Sequence, residues 1–279
     1  VEAHDRVKSK VEVDAIAVGI GLVSFAAAVA LAENDINSVT TATIDNSTAQ
    51  SGIGDLEIIA DSVQGVNDIV TSIDAAAVAA GIVSGATVGA KAIEIIQSTV
   101  EAGGRNSTLI ASGAVKIDAD SNHTVTPHVI GFSGSLGVAV TAIEVEAEIK
   151  GITRAYGSGA LSITANELKV TADSISLAEP DSAAVAIGLA AAGAVASIQA
   201  EVDRTTEAYL GTRAGEVVTD QTPATNVTVD NGTVFVKANS NFTAKTTPLS
   251  IGLGGGGAAA LTLTQAKVTG HTLAYVGEK

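Results

Sequence analysis

Apolar and polar residues alternate with a period of two at recurring places in the chain. The alternation is clearest around four alanines that are followed by Asp-Ser or Asn-Ser: Ala60, Ala119, Ala172 and Ala238. Apolar residues stand two and four positions before each alanine, and a polar residue stands directly after it. Successive side chains of a β-strand point to opposite faces, so this pattern predicts strands with one buried face and one solvated face.

A second alternating segment runs from Ile143 to Ile149 and contains three glutamates. A helix would spread those glutamates around its circumference, whereas a strand places them on one side. We therefore predict a strand there as well.

Long apolar runs rich in glycine and alanine separate the alternating segments: Ala15 to Ala32, Ala75 to Ala90, Ser182 to Ala200 and Pro248 to Ala266. Their length is close to that of a transmembrane helix. They lack aromatic belts and basic flanks, however, and they are rich in glycine and β-branched residues. Strands buried on both faces also read as continuous apolar runs, so we interpret these segments as strands and predict no membrane span. Small side chains there would let neighbouring layers approach closely.

The chain repeats itself. Its three tyrosines, Tyr156, Tyr209 and Tyr275, all stand in one phrase, Thr-x-Ala-Tyr, and a glycine follows each closely. The alanines of the Ala-Asp-Ser phrase, with a degenerate copy at Ala3, are 57, 59, 53 and 66 residues apart. A third phrase, Asp-x-x-Ala-Val-x-x-Gly, begins at Asp14, Asp74 and Asp181.

Fixed phrases with uneven spacing indicate repeated elements joined by loops of variable length. We predict one all-β, elongated repeat array of about five units, with approximate bounds 1–59, 60–118, 119–171, 172–237 and 238–279, the last incomplete. The four alanines should form one column, with Asp61, Asp120 and Asp173 pointing to solvent beside it. The tyrosines should occupy equivalent positions near strand ends, with Gly157, Gly211 and Gly277 making the turns.

Composition narrows the class of protein. Of the 279 residues 46% are hydrophobic and only 3% aromatic, so the core must consist of aliphatic side chains in thin, regular layers. A net charge of −15 argues against binding to nucleic acid or to anionic membrane surfaces. The chain has no cysteine, which excludes disulfides and thiolate metal sites.

Motifs with possible chemistry have structural explanations. The run Gly252 to Gly257 matches the dinucleotide-binding pattern, but no helix pattern follows it. The four histidines lack the spacing of a metal site, and Asp118 with Asp120 fits the solvated face of a strand. No nucleophile elbow is present. We predict no catalytic residues, no metal and no cofactor.

Six asparagines stand in N-x-S/T sequons, which are acceptor sites for N-glycosylation. They are Asn46, Asn106, Asn122, Asn226, Asn231 and Asn241. The alternative is that Asn, Ser and Thr simply cluster in turns.

The order of these phrases, as in Val185 to Gly211 and Ile251 to Gly277, resembles the repeats of very large bacterial exoproteins, the leukotoxin-type filamentous adhesins and related haemagglutinin-like proteins. The resemblance covers the whole chain through low-complexity motifs. It implies a β-solenoid stalk or filament, exported to the cell surface, with a structural or adhesive role and without catalytic residues.

Two other functions stay open. One is a polysaccharide-acting β-helix enzyme, a lyase or hydrolase, which would need clustered acid and base groups and aromatic sugar platforms. The other is an ice- or mineral-binding face made of threonine columns. For the filament we expect the chain to come from a longer or processed precursor. Its partners would be copies of itself or adjacent repeats, and a host or neighbouring-cell surface.

Overall fold

The computed structural model describes residues 1–64, 68–230 and 232–278, which form twenty β-strands and no helix. The strands make five successive turns of a coil. Turn 1 contains β1 (Glu2–Asp5), β2 (Ser9–Ile20), β3 (Val23–Asp45) and β4 (Thr48–Ser51). Turn 2 contains β5 (Leu56–Val63), β6 (Ile69–Ala80), β7 (Val83–Arg105) and β8 (Thr108–Ala111). Turn 3 contains β9 (Ala114–Val125), β10 (His128–Ser135), β11 (Val138–Ser158) and β12 (Ser162–Ala165).

Turn 4 contains β13 (Glu167–Ala178), β14 (Asp181–Gly188), β15 (Ala191–Leu210) and β16 (Asn226–Val229). Turn 5 contains β17 (Val234–Ala244), β18 (Thr247–Gly254), β19 (Ala258–Val268) and β20 (His271–Val276). Strands at the same place in successive turns pair in parallel and build four sheets. Sheet A holds β1, β5, β9, β13 and β17; sheet B holds β2, β6, β10, β14 and β18. Sheet C holds β3, β7, β11, β15, β19 and β20; sheet D holds β4, β8, β12 and β16.

This architecture is an all-β, elongated repeat β-solenoid with about five units, as the sequence predicted. The landmark alanines pair directly from turn to turn: Ala60 with Ala119, Ala119 with Ala172, and Ala172 with Ala238. Ala60, Ala119 and Ala172 are fully buried. The neighbouring aspartates point outward, although stacking on each other leaves them half-buried. The predicted column is therefore confirmed.

One part of the predicted alignment was wrong. Asp14 pairs with Asp74, as expected. Asp74 in turn pairs with Ile130, so the column that starts at Asp14 does not continue to Asp181. Asp181 instead aligns with His128, two residues away along the strand. A shift of two residues keeps every side chain on the same face, so alternation alone cannot detect it.

The apolar, glycine-rich runs form strands of sheets B and C that face each other. Many of their inward positions are alanine, and these alanines make up most of the largest buried cluster. Small side chains let the two sheets approach closely, as expected. No helix in the described residues has the length and apolar character to cross a membrane.

Two further clusters of aliphatic side chains fill the rest of the coil, and polar side chains lie buried between them. Ser62, Ser121 and Ser174 form an inward column on sheet A. Ser121 accepts a hydrogen bond from the guanidinium of Arg204 at 3.3 Å, and Arg204 is 1% exposed. The Arg204 Nη1 atom donates to Ser98 Oγ at 3.0 Å, two turns away along the coil. The sequence analysis did not predict this polar layer.

Candidate functional site

The tyrosines form a ladder on sheet C. Tyr156 pairs in register with Tyr209, and Tyr209 with Tyr275. The ring centroids are 5.7 Å and 5.4 Å apart, and the planes lie within 13° and 4° of parallel. The predicted equivalence of the three tyrosines is confirmed.

The role expected of the following glycines is only partly right. Gly211 ends β15 with a left-handed φ of 87°, as expected of a turn. Gly157 lies inside β11 and pairs with Leu210, and the turn comes two residues later at Gly159, where φ is 71°. The strand runs past Gly157 because its backbone groups still find partners in the adjacent turns.

A cleft opens beside the ladder because two features of the chain coincide there. In turn 2 the tyrosine position is Gly103, and the ring of Tyr156 lies over it. In turn 4 the connection between β15 and β16 is a long loop, 211–225, whereas turns 1 and 2 make the same corner with two residues. The loop and sheet C enclose about 390 Å³. The cleft walls include Glu101, Arg105, Arg154, Tyr156, Tyr209, Arg213 and Glu216.

Acidic and basic side chains alternate in the column beside the tyrosines. Arg154 of turn 3 lies between Glu101 of turn 2 and Glu207 of turn 4, donating to their carboxylates at 2.6 Å and 2.9 Å. Arg213 of the loop donates to Glu207 at 3.0 Å, and the Tyr275 hydroxyl donates to the same carboxylate at 2.6 Å. This network connects four turns and the loop.

The pKa values follow from these contacts. Burial alone would raise the pKa of Glu207, but hydrogen bonds from Tyr275 and Arg154 and the two nearby arginine charges outweigh it, so the pKa is lowered. Burial raises the pKa of Tyr275 to about 12 and that of Tyr209 as well. Glu207 is therefore an anion at neutral pH that acts as the anchor of the network.

A ligand in the cleft could form hydrogen bonds, but it could not stack on the face of a tyrosine ring. Tyr209 has a tyrosine on each side and Tyr156 covers Gly103, so the cleft sees ring edges and hydroxyls. In the part of the chain described, the hydroxyls of Tyr156 and Tyr209 have no hydrogen-bond partner in the protein. The sequence pattern could have indicated the site, because Arg154 and Glu207 occupy the variable position of the Thr-x-Ala phrase and Glu101 directly precedes the corresponding alanine of turn 2.

A second group of ionisable side chains lies on the outer face of sheet A. Oxygens of Asp118, Asp120 and Asp173 lie within 4.8 Å of one another, close enough for one cation. Burial, followed by the charges of Asp118, Asp173 and Asp61, raises the pKa of Asp120 to about 7. The register of the strands produces this cluster, and the face is less solvated than the sequence analysis expected.

The histidines are dispersed over the coil. His4 lies 3.5 Å from Asp61, and His128 lies 3.2 Å from Asp181. His123 is buried against Ser62, and burial lowers its pKa to about 3. His271 is exposed in β20. The structure brings no two histidines together in a shared contact within the described residues.

The glycine run Gly252–Gly257 forms the end of β18 and the corner before β19. A strand follows it where a dinucleotide site would need a helix.

The sequons are distributed between corners and strands. Asn46 and Asn106 occupy the sheet C to sheet D corner with left-handed φ values of 48° and 49°. Asparagine tolerates that conformation better than most residues, which explains its presence there without glycosylation. The Asn106 side chain also accepts a hydrogen bond from the Ala160 amide at 3.1 Å. Asn122 and Asn241 lie in strands and Asn226 begins β16, while Asn231 lies outside the described residues.

The fold and the cleft define a class, a parallel β-solenoid with four strands in each turn and a ladder of tyrosines along one sheet. Comparison with protein-family models, with curated proteins and with solved structures gives no match for the chain.

Proposed function

We propose that the chain is a structural, non-catalytic segment of a secreted or cell-surface filament or adhesin, related to the bacterial exoproteins that its repeats resemble. The observation that carries the proposal is the stack itself. All four sheets extend along one direction in parallel register, and each turn buries its apolar residues mainly against its neighbours. Such a stack transmits load along its length through backbone hydrogen bonds.

The outer edges of the stack support assembly. The four sheets end at β1, β2, β3 and β4 on one side, and within the described residues these strands have no partner beyond them. The opposite edge consists of β16, β17, β18, β19 and β20. Unpaired strand edges above apolar side chains are templates for pairing with another strand. We infer that copies of the chain, or adjacent repeats, pair at these edges.

The charged cleft supports an adhesive role over a purely mechanical one. Tyrosine hydroxyls and arginines at a cleft under a long loop can hydrogen-bond polar groups on a neighbouring surface. The polysaccharide-acting alternative would have to place its acid and base in the same cleft. The ice-binding alternative needs threonines outside, whereas the aligned Thr40, Thr153 and Thr206 are buried.

Imaging and light scattering of the native material test the proposal. We expect fibres in which the chain contributes a long β-rich stack, and no turnover of soluble polysaccharides. A stable monomer of 27.5 kDa that degrades a soluble polysaccharide would overturn both the structural and the non-catalytic parts. A stable monomer without turnover would overturn assembly and leave a monomeric adhesin stalk.

A further inference from the structure

One end of the coil's cross-section is a thin wing made of the facing parts of sheets B and C. The wing consists of residues 15–30, 75–90, 129–143, 182–196 and 248–262 in turns 1 to 5. None of these ranges contains an Asp, Glu, Lys, Arg or His. Charged residues resume at the base of the wing, for example at Asp14 and Asp74 on sheet B and at Lys91 and Glu144 on sheet C.

The wing inverts the usual arrangement of side chains. Small side chains, mostly alanine with some serine, threonine and glycine, fill its interior, and the larger aliphatic and aromatic side chains point outward. On the sheet B face Ile16 is 79% exposed, and on the sheet C face Phe25 and Val29 are 73% and 80% exposed. At the tip Ile20 is 84% exposed. Further exposed apolar side chains follow in the other turns: Val78, Ile82, Leu136, Val140, Ile187, Leu189, Leu253 and Leu261.

The backbone at the tip of the wing is hydrogen-bonded from turn to turn. The Leu189 amide donates to the Ser135 carbonyl at 3.1 Å, and the Gly255 amide donates to the Leu189 carbonyl at 3.1 Å. Val83 donates to the carbonyl of Leu22 at 3.1 Å in the same way. Corner residues of a soluble protein usually leave such groups to water. Here the corners of the inner turns stack like the strands, which reduces the need for water at the tip. The outer edges of β2, β3, β18 and β19 are open, so insertion rests on the proposed pairing of these edges with adjacent copies or repeats.

We propose that the wing inserts into the outer leaflet of a lipid bilayer, with the rest of the coil in water. Six residues of sheet B from the base to the tip, such as 75–80, span about 20 Å. The hydrocarbon of one leaflet is about 15 Å deep, half of the bilayer core. The wing is therefore long enough to enter one leaflet, and the charged residues at its base would lie among the headgroups.

Lipid fits the wing better than a second copy of the chain. A copy docked on sheet B or on sheet C would cover one face, whereas the apolar side chains occupy both faces and the tip. Hydrocarbon would surround all three. Because the net charge of −15 opposes anionic lipids, the bilayer should be zwitterionic.

Flotation with phosphatidylcholine vesicles tests the proposal on the whole chain. We expect the unchanged chain to float with the vesicles and the double variant Val18→Glu/Val29→Glu to lose at least tenfold in vesicle binding. Both positions are exposed, so the variant should fold, and circular dichroism checks that it does. The control variant Val39→Glu/Ile53→Glu adds the same charge at exposed apolar positions outside the wing and should float normally. An unchanged chain that stays with the buffer would overturn the proposal, and so would a wing variant that floats like the control.

A single tryptophan locates the inserted part, because the chain has none of its own. Tryptophan in Phe25→Trp should shift its emission to the blue with vesicles and be quenched by brominated lipid chains. Tryptophan in Phe235→Trp, on sheet A and outside the wing, should do neither. Size-exclusion chromatography with light scattering tests the alternative that a second copy of the chain covers the wing. An oligomer that Val18→Glu/Val29→Glu converts to monomer, in a chain that does not bind vesicles, would show that a second copy covers the wing and would overturn the lipid proposal.

Discussion

At the scale of single residues, the solenoid combines an aliphatic core with a few buried polar groups whose environments are unusual. Arg204 of turn 4 hydrogen-bonds Ser98 of turn 2. Its side chain passes Gly151 of turn 3, which pairs with Arg204 and has no side chain in the way. Glu94 points into the core beside Thr71, whose contacts with the carboxylate are too poor to offset its burial. A buried charge without adequate partners is costly, so Glu94 should dominate the response of stability to pH.

Glu94 should make the protein less stable as the pH rises from about 4.5 to about 7. Burial raises the pKa of Glu94 from 4.5 to about 7, with a smaller opposing effect of Thr71. In that window the folded state binds more protons than the unfolded state, so the free energy of unfolding falls with pH. Glu94→Gln removes the ionisation, and at pH 8 it should raise the free energy of unfolding by about 1 to 3 kcal/mol.

Urea unfolding of both proteins at pH 4 and pH 8 measures this difference. At pH 4 the two should differ much less, because Glu94 is then protonated in the folded state. The control is Glu33→Gln, at an exposed position on the neighbouring strand β3. An equal effect of Glu94→Gln at both pH values would contradict the prediction.

Gly103 should be required for the tyrosine ladder, because a β-carbon at that position would overlap the ring of Tyr156. We expect Gly103→Ala to lower the free energy of unfolding by about 1 to 3 kcal/mol, as overpacking usually does. In the background of Tyr156→Leu the same substitution should cost much less, and a double-mutant cycle measures the coupling. Gly89→Ala is the control, because its β-carbon would meet open space on the same strand. Equal costs of Gly103→Ala in both backgrounds would show that the ring does not fill this space.

At the scale of strands, the sequence predicted correctly which segments are strands and which of their faces is buried. It predicted the register between neighbouring strands less well. Period-two alternation identified the strand around Ala119 and the strand from Ile143, and both are present with the predicted faces buried. The copy at Asp181 was misaligned by two residues because alternation repeats every two. The cleft depends on Arg154 and Glu207 meeting across turns. This contact requires the exact register of the two strands. The aligned tyrosines indicate that register, whereas the alternation of apolar and polar residues does not.

The loop 211–225 should be held to the cleft mainly by Arg213, whose guanidinium bonds the buried Glu207. A half-exposed ion pair of this kind contributes at most about 1 kcal/mol, so Arg213→Ala should leave the melting temperature nearly unchanged. Amide hydrogen exchange in the loop should nevertheless accelerate by about fivefold, because the local opening free energy falls by a similar amount. Lys245→Ala removes a comparable exposed pair, with Glu179, and should not affect the loop. Exchange in the loop that does not change would mean that the hydrogen bond from the Ala214 amide to the Tyr275 hydroxyl holds it instead.

At the scale of the whole molecule, two features act against each other. The edges of the stack offer unpaired strands to other copies, while the net charge of −15 makes the copies repel. Salt shortens the range of that repulsion, from about 30 Å at 0.01 M to about 8 Å at 0.15 M. Association through the strand edges should therefore increase with ionic strength, in contrast to association through ion pairs.

Light scattering of the purified chain at 0.01 M and 0.15 M sodium chloride should show a larger mean mass at the higher salt concentration. The decisive variant is Ala266→Pro in the edge strand β19, because the Ala266 amide faces away from β15, and proline removes this donor and blocks pairing beyond the fifth turn. That variant should stay small at both salt concentrations while keeping the circular dichroism of the parent. The wing variant Val18→Glu/Val29→Glu separates edge pairing from apolar association, since the strand edges keep their backbone groups. If the wing variant abolishes the large species and Ala266→Pro does not, the copies associate through the wing, and the edges of the stack do not build the filament.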